Sequence, residues 1–340
     1  MEFFKSKGTG LLMCFIIAVP AWLLGRAIPV IGGPVFGILF GIIIALFKRP
    51  DSLEAGIKFT SKKILQWSII LLGFEMNLFN VIKVGGQSLF VMVFTLSASF
   101  ITAYIVGKAL KIDGKTTCLI GVGTSICGGS AIAATAPVIR ANDEEVAQAI
   151  STIFLFNIIA VFIFPPLGHL IGLTDTGFGM WAGTAINDTS SVVAAGASWS
   201  SAAGNNTALA FATIVKLTRT LMIVPITLVL AIYTTRKVMK EQGTASGGNN
   251  YSIKKIFPWF VLGFVLTAII ATFVPLPEGL PGTLVMIGKF MIVMAMTAIG
   301  LNTNIKKLLT NGLKPIGLGM CCWFVVAGVS LVVQKVIGMI

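Results

Sequence analysis

Charge is scarce in this chain. Of 340 residues only 11% are charged, against 56% hydrophobic, where an average soluble protein carries about 25% charge. There is too little charge to cover a water-facing surface, which excludes a cytosolic enzyme, a secreted domain and a disordered segment. Histidine is nearly absent: His169 stands alone. Cysteine is sparse too, and Cys14, Cys118, Cys127, Cys321 and Cys322 all fall in apolar stretches. No pair has zinc-ligand spacing with a histidine nearby, so they read as small apolar packing residues, not as disulfides or metal ligands. No metal and no resident cofactor is expected.

What is present is hydrophobic length. A spanning helix needs about 20 mainly apolar residues, and eleven segments qualify, at 10–25, 28–47, 62–80, 87–107, 117–139, 146–168, 178–198, 205–233, 255–274, 283–302 and 315–337. The expected fold is an all-α polytopic membrane protein of about 9–11 transmembrane segments, one domain over 1–340. The first segment follows Lys5 and Lys7 like a signal peptide, but without a clear cleavage site it reads as an uncleaved helix.

The net charge of +13 would suggest nucleic acid in a soluble protein; here it reads as positive-inside loops. The clusters are Lys5/Lys7, Lys48 through Lys63, Lys108/Lys111/Lys115, Arg236 through Lys255, and Lys306/Lys307/Lys314. With eleven spans all five lie on the amino-terminal side, predicting a cytoplasmic N-terminus in a bacterial inner membrane. The linker at about 236–254, polar from Glu241 to Asn250, falls on that side as well.

The segments differ in kind. Gly33, Gly37 and Gly41 form a small-residue face that lets another helix approach closely. The fifth and seventh segments instead read Gly121-Val-Gly-Thr-Ser-Ile-Cys-Gly-Gly-Ser130 and Gly183-Thr-Ala-Ile-Asn-Asp-Thr-Ser-Ser191. Such backbone persists in a membrane only when buried in protein or lining a wet cavity. The two match each other at an offset of 60, pairing Gly123/Gly183, Thr124/Thr184, Ile126/Ile186, Ser130/Ser190 and Ala134/Ala194. A second echo pairs Gly73-Phe-Glu-Met-Asn77 with Gly300-Leu-Asn-Thr-Asn304. Paired, interrupted segments point to inverted repeats around a substrate site. If both segments span, they run the same way; if both are re-entrant hairpins, the pair is antiparallel. Charge counting fits either topology.

All but two of the twelve acidic residues lie in loops or at span edges; the exceptions are Glu75 and Asp188. An intramembrane charge costs about 2.5–3.5 kcal/mol on insertion scales and is a functional candidate by default. Asn187, Thr189, Ser190 and Ser191 surround Asp188 with oxygen ligands. Lys216 and Arg219 lie near the middle of the eighth segment on one helix face. Two readings compete: a structural pairing with Asp188, or an anion site completed by backbone donors at the Gly128-Gly129 break. Lys289 and Lys335 read as snorkelling, His169 as an interfacial histidine, and Asn157 as a helix–helix hydrogen bond.

Three motifs in order, Thr124-Ser-Ile-Cys-Gly-Gly-Ser-Ala-Ile-Ala-Ala-Thr-Ala-Pro137, Gly183-Thr-Ala-Ile-Asn-Asp-Thr-Ser-Ser-Val-Val-Ala-Ala-Gly196 and Lys216-Leu-Thr-Arg219, resemble the YeiH, or UPF0324, family of bacterial membrane proteins, which carries a sulfate-export label. The resemblance covers nearly the whole chain and implies a secondary transporter with broken helices and inverted repeats, of the broad bile-acid-symporter kind. It implies a small anionic substrate (sulfate-like, sulfonate or organic), with Na+ or H+ as candidate coupling ions. The family pattern it implies has His at the position of Asn187, which moves coupling here toward Asp188 and hydroxyls. Expected substrate contacts are Lys216, Arg219, Ser125, Cys127, Gly128, Gly129, Ser130, Asn187, Asn302 and Asn304. Expected coupling-ion contacts are Asp188, Thr189, Ser190, Ser191, Glu75 and Asn77. An anion channel and an intramembrane enzyme are the rival readings, and a homodimer the candidate assembly; no nucleic-acid partner is expected.

Overall fold

The structure, a computed structural model, describes residues 2–28, 33–242, 259–303 and 312–340, and among these it is helical with no strand. Six helices are long and apolar enough to cross a membrane. Helix α1 spans Glu2–Ala27, α5 Leu78–Ala109 and α8 Asp143–Leu170. Thr207–Leu221 (α11) continues into Ile223–Gln242 (α12) as one crossing, and Leu280–Asn302 (α14) and Leu313–Val336 (α15) complete the six. Two shorter apolar helices, Gly33–Ala45 (α2) and Trp259–Phe273 (α13), join them. A further helical pass runs through Glu54–Phe59 (α3), a π-turn at Thr60–Ile64, and Leu65–Leu72 (α4).

The remaining two segments do not cross. Gly114–Ser125 (α6) breaks before Gly129–Thr135 (α7), and the chain returns until the Lys115 ammonium donates to the Arg140 carbonyl at 2.8 Å. A continuous helix would hold those residues about 37 Å apart along its axis. Asp175–Ala185 (α9) and Thr189–Ala203 (α10) form the second hairpin. Trp199 and Asn205, near its end, donate to the Asp175 carboxylate at its start, at 2.7 and 2.8 Å. Because α8 crosses once between them, the hairpins enter from opposite faces. The antiparallel topology is therefore the one adopted.

This arrangement also settles where the charges go. Residues 7, 56, 115 and 140 lie at one end of the bundle: a Cβ on Gly56 would meet the Lys7 carbonyl, and the first hairpin returns Arg140 beside Lys115. We call this end the basic face. Lys62 and Lys63, expected at the edge between the Lys48–Lys63 loop cluster and the 62–80 segment, sit in the π-turn, because this helical pass already starts at Glu54. The polar segment after Gln242 lies outside the described residues.

The helices pack as two groups. The first, a panel, contains α1, α2, α3/α4, α13 and α14; the second, a core, contains α5, both hairpins, α8, α11 and α15. The glycine face of α2 packs on α14 at van der Waals distance. A Cβ on Gly41 would lie 2.4 Å from the Thr297 carbonyl and 2.8 Å from the Gly300 Cα, so only glycine permits this approach. Gly300 thus belongs to the panel seam at the basic end of α14, whereas Gly73 caps α4 at the opposite face, so the second echo is inverted as well. The cysteines are all free; Cys14, Cys127 and Cys322 are buried.

Candidate functional site

The two hairpin breaks fall at matching positions of the sequence echo, with different backbone conformations. Helix α6 ends at Ser125 and α9 at Ala185; α7 begins at Gly129 and α10 at Thr189. Each spacing is the offset of 60 in the sequence echo. Gly128 stands at the first break with φ 68° and ψ −128°, a region open to glycine and strained for any other residue. Asp188 stands at the equivalent place and caps α10, its carboxylate accepting the Ser190 N–H at 3.0 Å. Its own N–H donates to the Asn157 side-chain oxygen on α8 at 3.1 Å.

Breaking two helices exposes carbonyls at the ends of α6 and α9, which hydrocarbon cannot satisfy. Helix α11 supplies the donors. The Lys216 ammonium donates to the carbonyls of Ile126 (2.7 Å), Ile186 (3.1 Å) and Asn187. Arg219 donates from Nε to the Ser125 carbonyl (2.6 Å), from Nη1 to Ile186 (3.1 Å) and from Nη2 to Thr124. Both side chains are wholly buried. Their charge sits at the negative ends of two helix dipoles, where a cation is favoured. Among the described residues neither forms an ion pair with Asp188; the ion pair found there is Lys58–Glu54 at the surface.

In front of the tips lies a cavity of about 480 Å³ between core and panel. The core contributes Gly129, Ser130, Asn157, Asp188, Thr189 and Ser190; the panel contributes Ser61, Lys62, Gln66 and Asn302. Ser61 and Lys62 place its mouth toward the basic face. A second cavity, about 420 Å³, enters between the same two groups from the opposite face, lined by Arg26, Glu75, Ser200, Asn205, Asn206 and Lys289 among others. Between the two lies a dry layer in which Val35 and Ile38 of α2, Val193 and Ala194 of α10, and Ile292, Ala295 and Met296 of α14 belong to one buried cluster.

A family profile described as Conserved hypothetical protein 698 matches residues 9–319. A UPF0324 membrane protein of Fusobacterium nucleatum is 51% identical over 350 residues, covering 98% of this chain and 99% of its own. One from Streptococcus agalactiae is 53% identical over 339 residues, with 98% and 99% covered, and one from Streptococcus mutans 52% over 340, with 98% of each. The chain belongs to the UPF0324 family.

In this UPF0324 protein the expected site residues separate into three groups. Gly129, Ser130, Asp188, Thr189, Ser190 and Asn302 come together on the first cavity. Ser125, Cys127, Gly128, Asn187, Lys216 and Arg219 form the tips behind it, where Ser125 and Asn187 offer carbonyls to the two cations. Ser191 is buried on α10, outside the lining. Glu75 and Asn77 lie at the opposite face: Glu75 accepts from Asn206 at 2.5 Å, and Asn77 caps α5 through the Phe79 N–H at 2.9 Å. Asn304 lies outside the described residues.

Three lining residues, Ser61, Lys62 and Gln66, escaped the sequence reading because they looked like loop and helix start. The π-turn that presents Ser61 and Lys62 is of a kind common at functional sites, and Gln66 follows on α4. Asn157 makes the helix–helix hydrogen bond expected of it and lines the cavity too. Lys289, expected to snorkel, instead donates to the Asn206 side-chain oxygen. His169 stacks on Trp199 with centroids 3.8 Å apart.

Proposed function

We propose that this protein is a secondary active transporter of a small anion, working by alternating access in a bacterial cytoplasmic membrane with its basic face in the cytoplasm. The observation that carries the reading is the pair of inverted hairpins whose tips border one cavity, opposed across a dry layer by a second cavity from the other face. That is the arrangement a rocking-bundle carrier needs. A channel needs a continuous wet pore, and the Val193–Ile292 layer interrupts one.

The charge balance favours an anion. Lys216, Arg219 and Asp188 together leave one positive charge at the tips, and Lys62 adds another at the mouth. Lys216 acts through its field, since its three donors are engaged by carbonyls, and Arg219 has three of its five N–H donors so engaged. Direct contacts to the anion would come from the hydroxyls of Ser130, Thr189 and Ser190, the amino end of α10, and the Asn302 amide. Asp188 is the carboxylate of this cavity and the group through which a cation, Na+ or H+, would be coupled.

The test is anion counterflow in proteoliposomes, screening sulfate, sulfite, sulfonates and carboxylates. Saturable exchange of one anion class is expected, with Asp188→Asn retaining exchange but losing gradient-driven uptake. Currents that rise without saturation would favour a channel instead.

A further inference from the structure

The environment of Lys216 has a feature that anion transport does not require. Its ammonium has three N–H donors, and three carbonyls take them: Ile126 from the first hairpin, Ile186 and Asn187 from the second. None of the three partners is a carboxylate or a side chain. A ring of backbone oxygens at the carbonyl ends of two broken helices is how membrane proteins hold a desolvated monovalent cation. Here the nitrogen is wholly buried and delivered on a stem from α11. The Asn187 side-chain oxygen, also buried, has no hydrogen-bond partner, which leaves one more oxygen at the same tip.

We infer that the crossed hairpin tips form a monovalent-cation cage whose resident ion is the side chain of Lys216. The cage is filled by the protein's own side chain, so free Na+ or K+ does not bind there. The ammonium also ties the two hairpins together, and Arg219 adds a second tie by bridging Thr124 and Ser125 of one to Ile186 of the other. The tips therefore travel as one unit with α11. Any coupling cation must bind elsewhere, in front of the tips at Asp188. The inference concerns the tips alone and stands independently of which solute the protein carries.

Vacating the cage tests it without any transport assay. Melting of purified protein would be followed in sodium, potassium, methylammonium and choline chloride at equal ionic strength. The Asp188→Asn protein, which keeps Lys216 but loses the cavity carboxylate, is expected to melt alike in all four. Lys216→Ala should become selective, melting about 2–4 °C higher in its preferred small cation than in choline. Lys216→Met, which refills the space without charge, should show no such preference. A saturable Na+ or K+ shift in Asp188→Asn overturns the inference, as does a folded Lys216→Ala indifferent to all four salts. If Lys216→Ala folds in none of them while Lys216→Met folds, the stem and not the charge is what the cage needs, and the inference fails. Should neither variant fold, the Asp188→Asn measurement decides alone: a saturable shift overturns it and identical melting upholds it.

Discussion

Arg219 and Lys216 are three residues apart on one face of α11, and they are not interchangeable. Arg219 spreads a planar fork over Ser125, Ile186 and Thr124, reaching carbonyls that a point charge cannot span together. Arg219→Lys should leave at least one buried carbonyl unpaired, at a cost of about 1–3 kcal/mol, read as a lower melting temperature with the fold retained. Gly128→Ala attacks the same break through the backbone. At φ 68° and ψ −128° an alanine is strained by about 1–3 kcal/mol, and the nearest atoms, on Ile153, Asn157 and Asp188, lie 3.4–3.6 Å from the new Cβ. The loss there should come from conformation and not from a clash, so Gly128→Ser should cost about as much as Gly128→Ala. The sequence marks Lys216, Arg219 and Asp188 as buried and consequential, because charges in an apolar run are visible there. It does not mark what the cations touch. Their acceptors are main-chain carbonyls some 30 to 95 residues away, and every residue has a carbonyl; only the broken helices decide which ones are left over.

At the scale of elements, the offset of 60 appears in the structure as a register: two helix ends, two breaks and two restarts separated by that same number. Topology was less legible, since both arrangements of the hairpins leave the five basic clusters on one side. What separates them is Arg140, whose carbonyl meets Lys115 only if the first hairpin returns. Single cysteines in a cysteine-free background test this directly: Gly114→Cys and Ala141→Cys should react with an impermeant thiol reagent from the same face, and Thr176→Cys and Gly204→Cys from the other. The first hairpin is also pinned at its entry, where Asp113 caps α6. Partial burial works to raise this carboxyl, but the N–H groups of Thr116 and Lys115 outweigh it and hold it below its ordinary value. Its folded-state value is depressed, so the stabilisation is complete above about pH 4 and is lost as pH falls through the folded value. Asp113→Ala should remove about 0.5–2 kcal/mol at neutral pH and flatten the acid limb of the stability profile.

For the whole molecule, the question is what holds panel and core in the observed relation. At the basic face the two groups are separated by the cavity in front of the tips. At the opposite face a chain of side chains joins them: Glu75 of the panel accepts from the Asn206 amide of the core, and Lys289 of the panel donates to the same amide's oxygen. One asparagine at the start of α11 is thus gripped from α14 and from the turn after α4, tying panel to core across the second cavity. If the panel and core rock as rigid bodies, this grip must release before the dry layer at Val193 can part. Asn206→Ala removes both bonds and leaves Glu75 and Lys289 in a water-accessible cavity where neither is orphaned, so the fold should survive. An exposed or half-buried polar tie is worth about 0.5–1.5 kcal/mol, enough to change the ratio of the two orientations by about twofold to tenfold. The readout is labelling of a cysteine placed at Ser200, on the cavity of the opposite face, against one at Ser130, on the cavity toward the basic face. With Asn206→Ala the Ser200 position should react faster and the Ser130 position more slowly. A change of equal sign at both would mean that the protein has loosened instead of rocked.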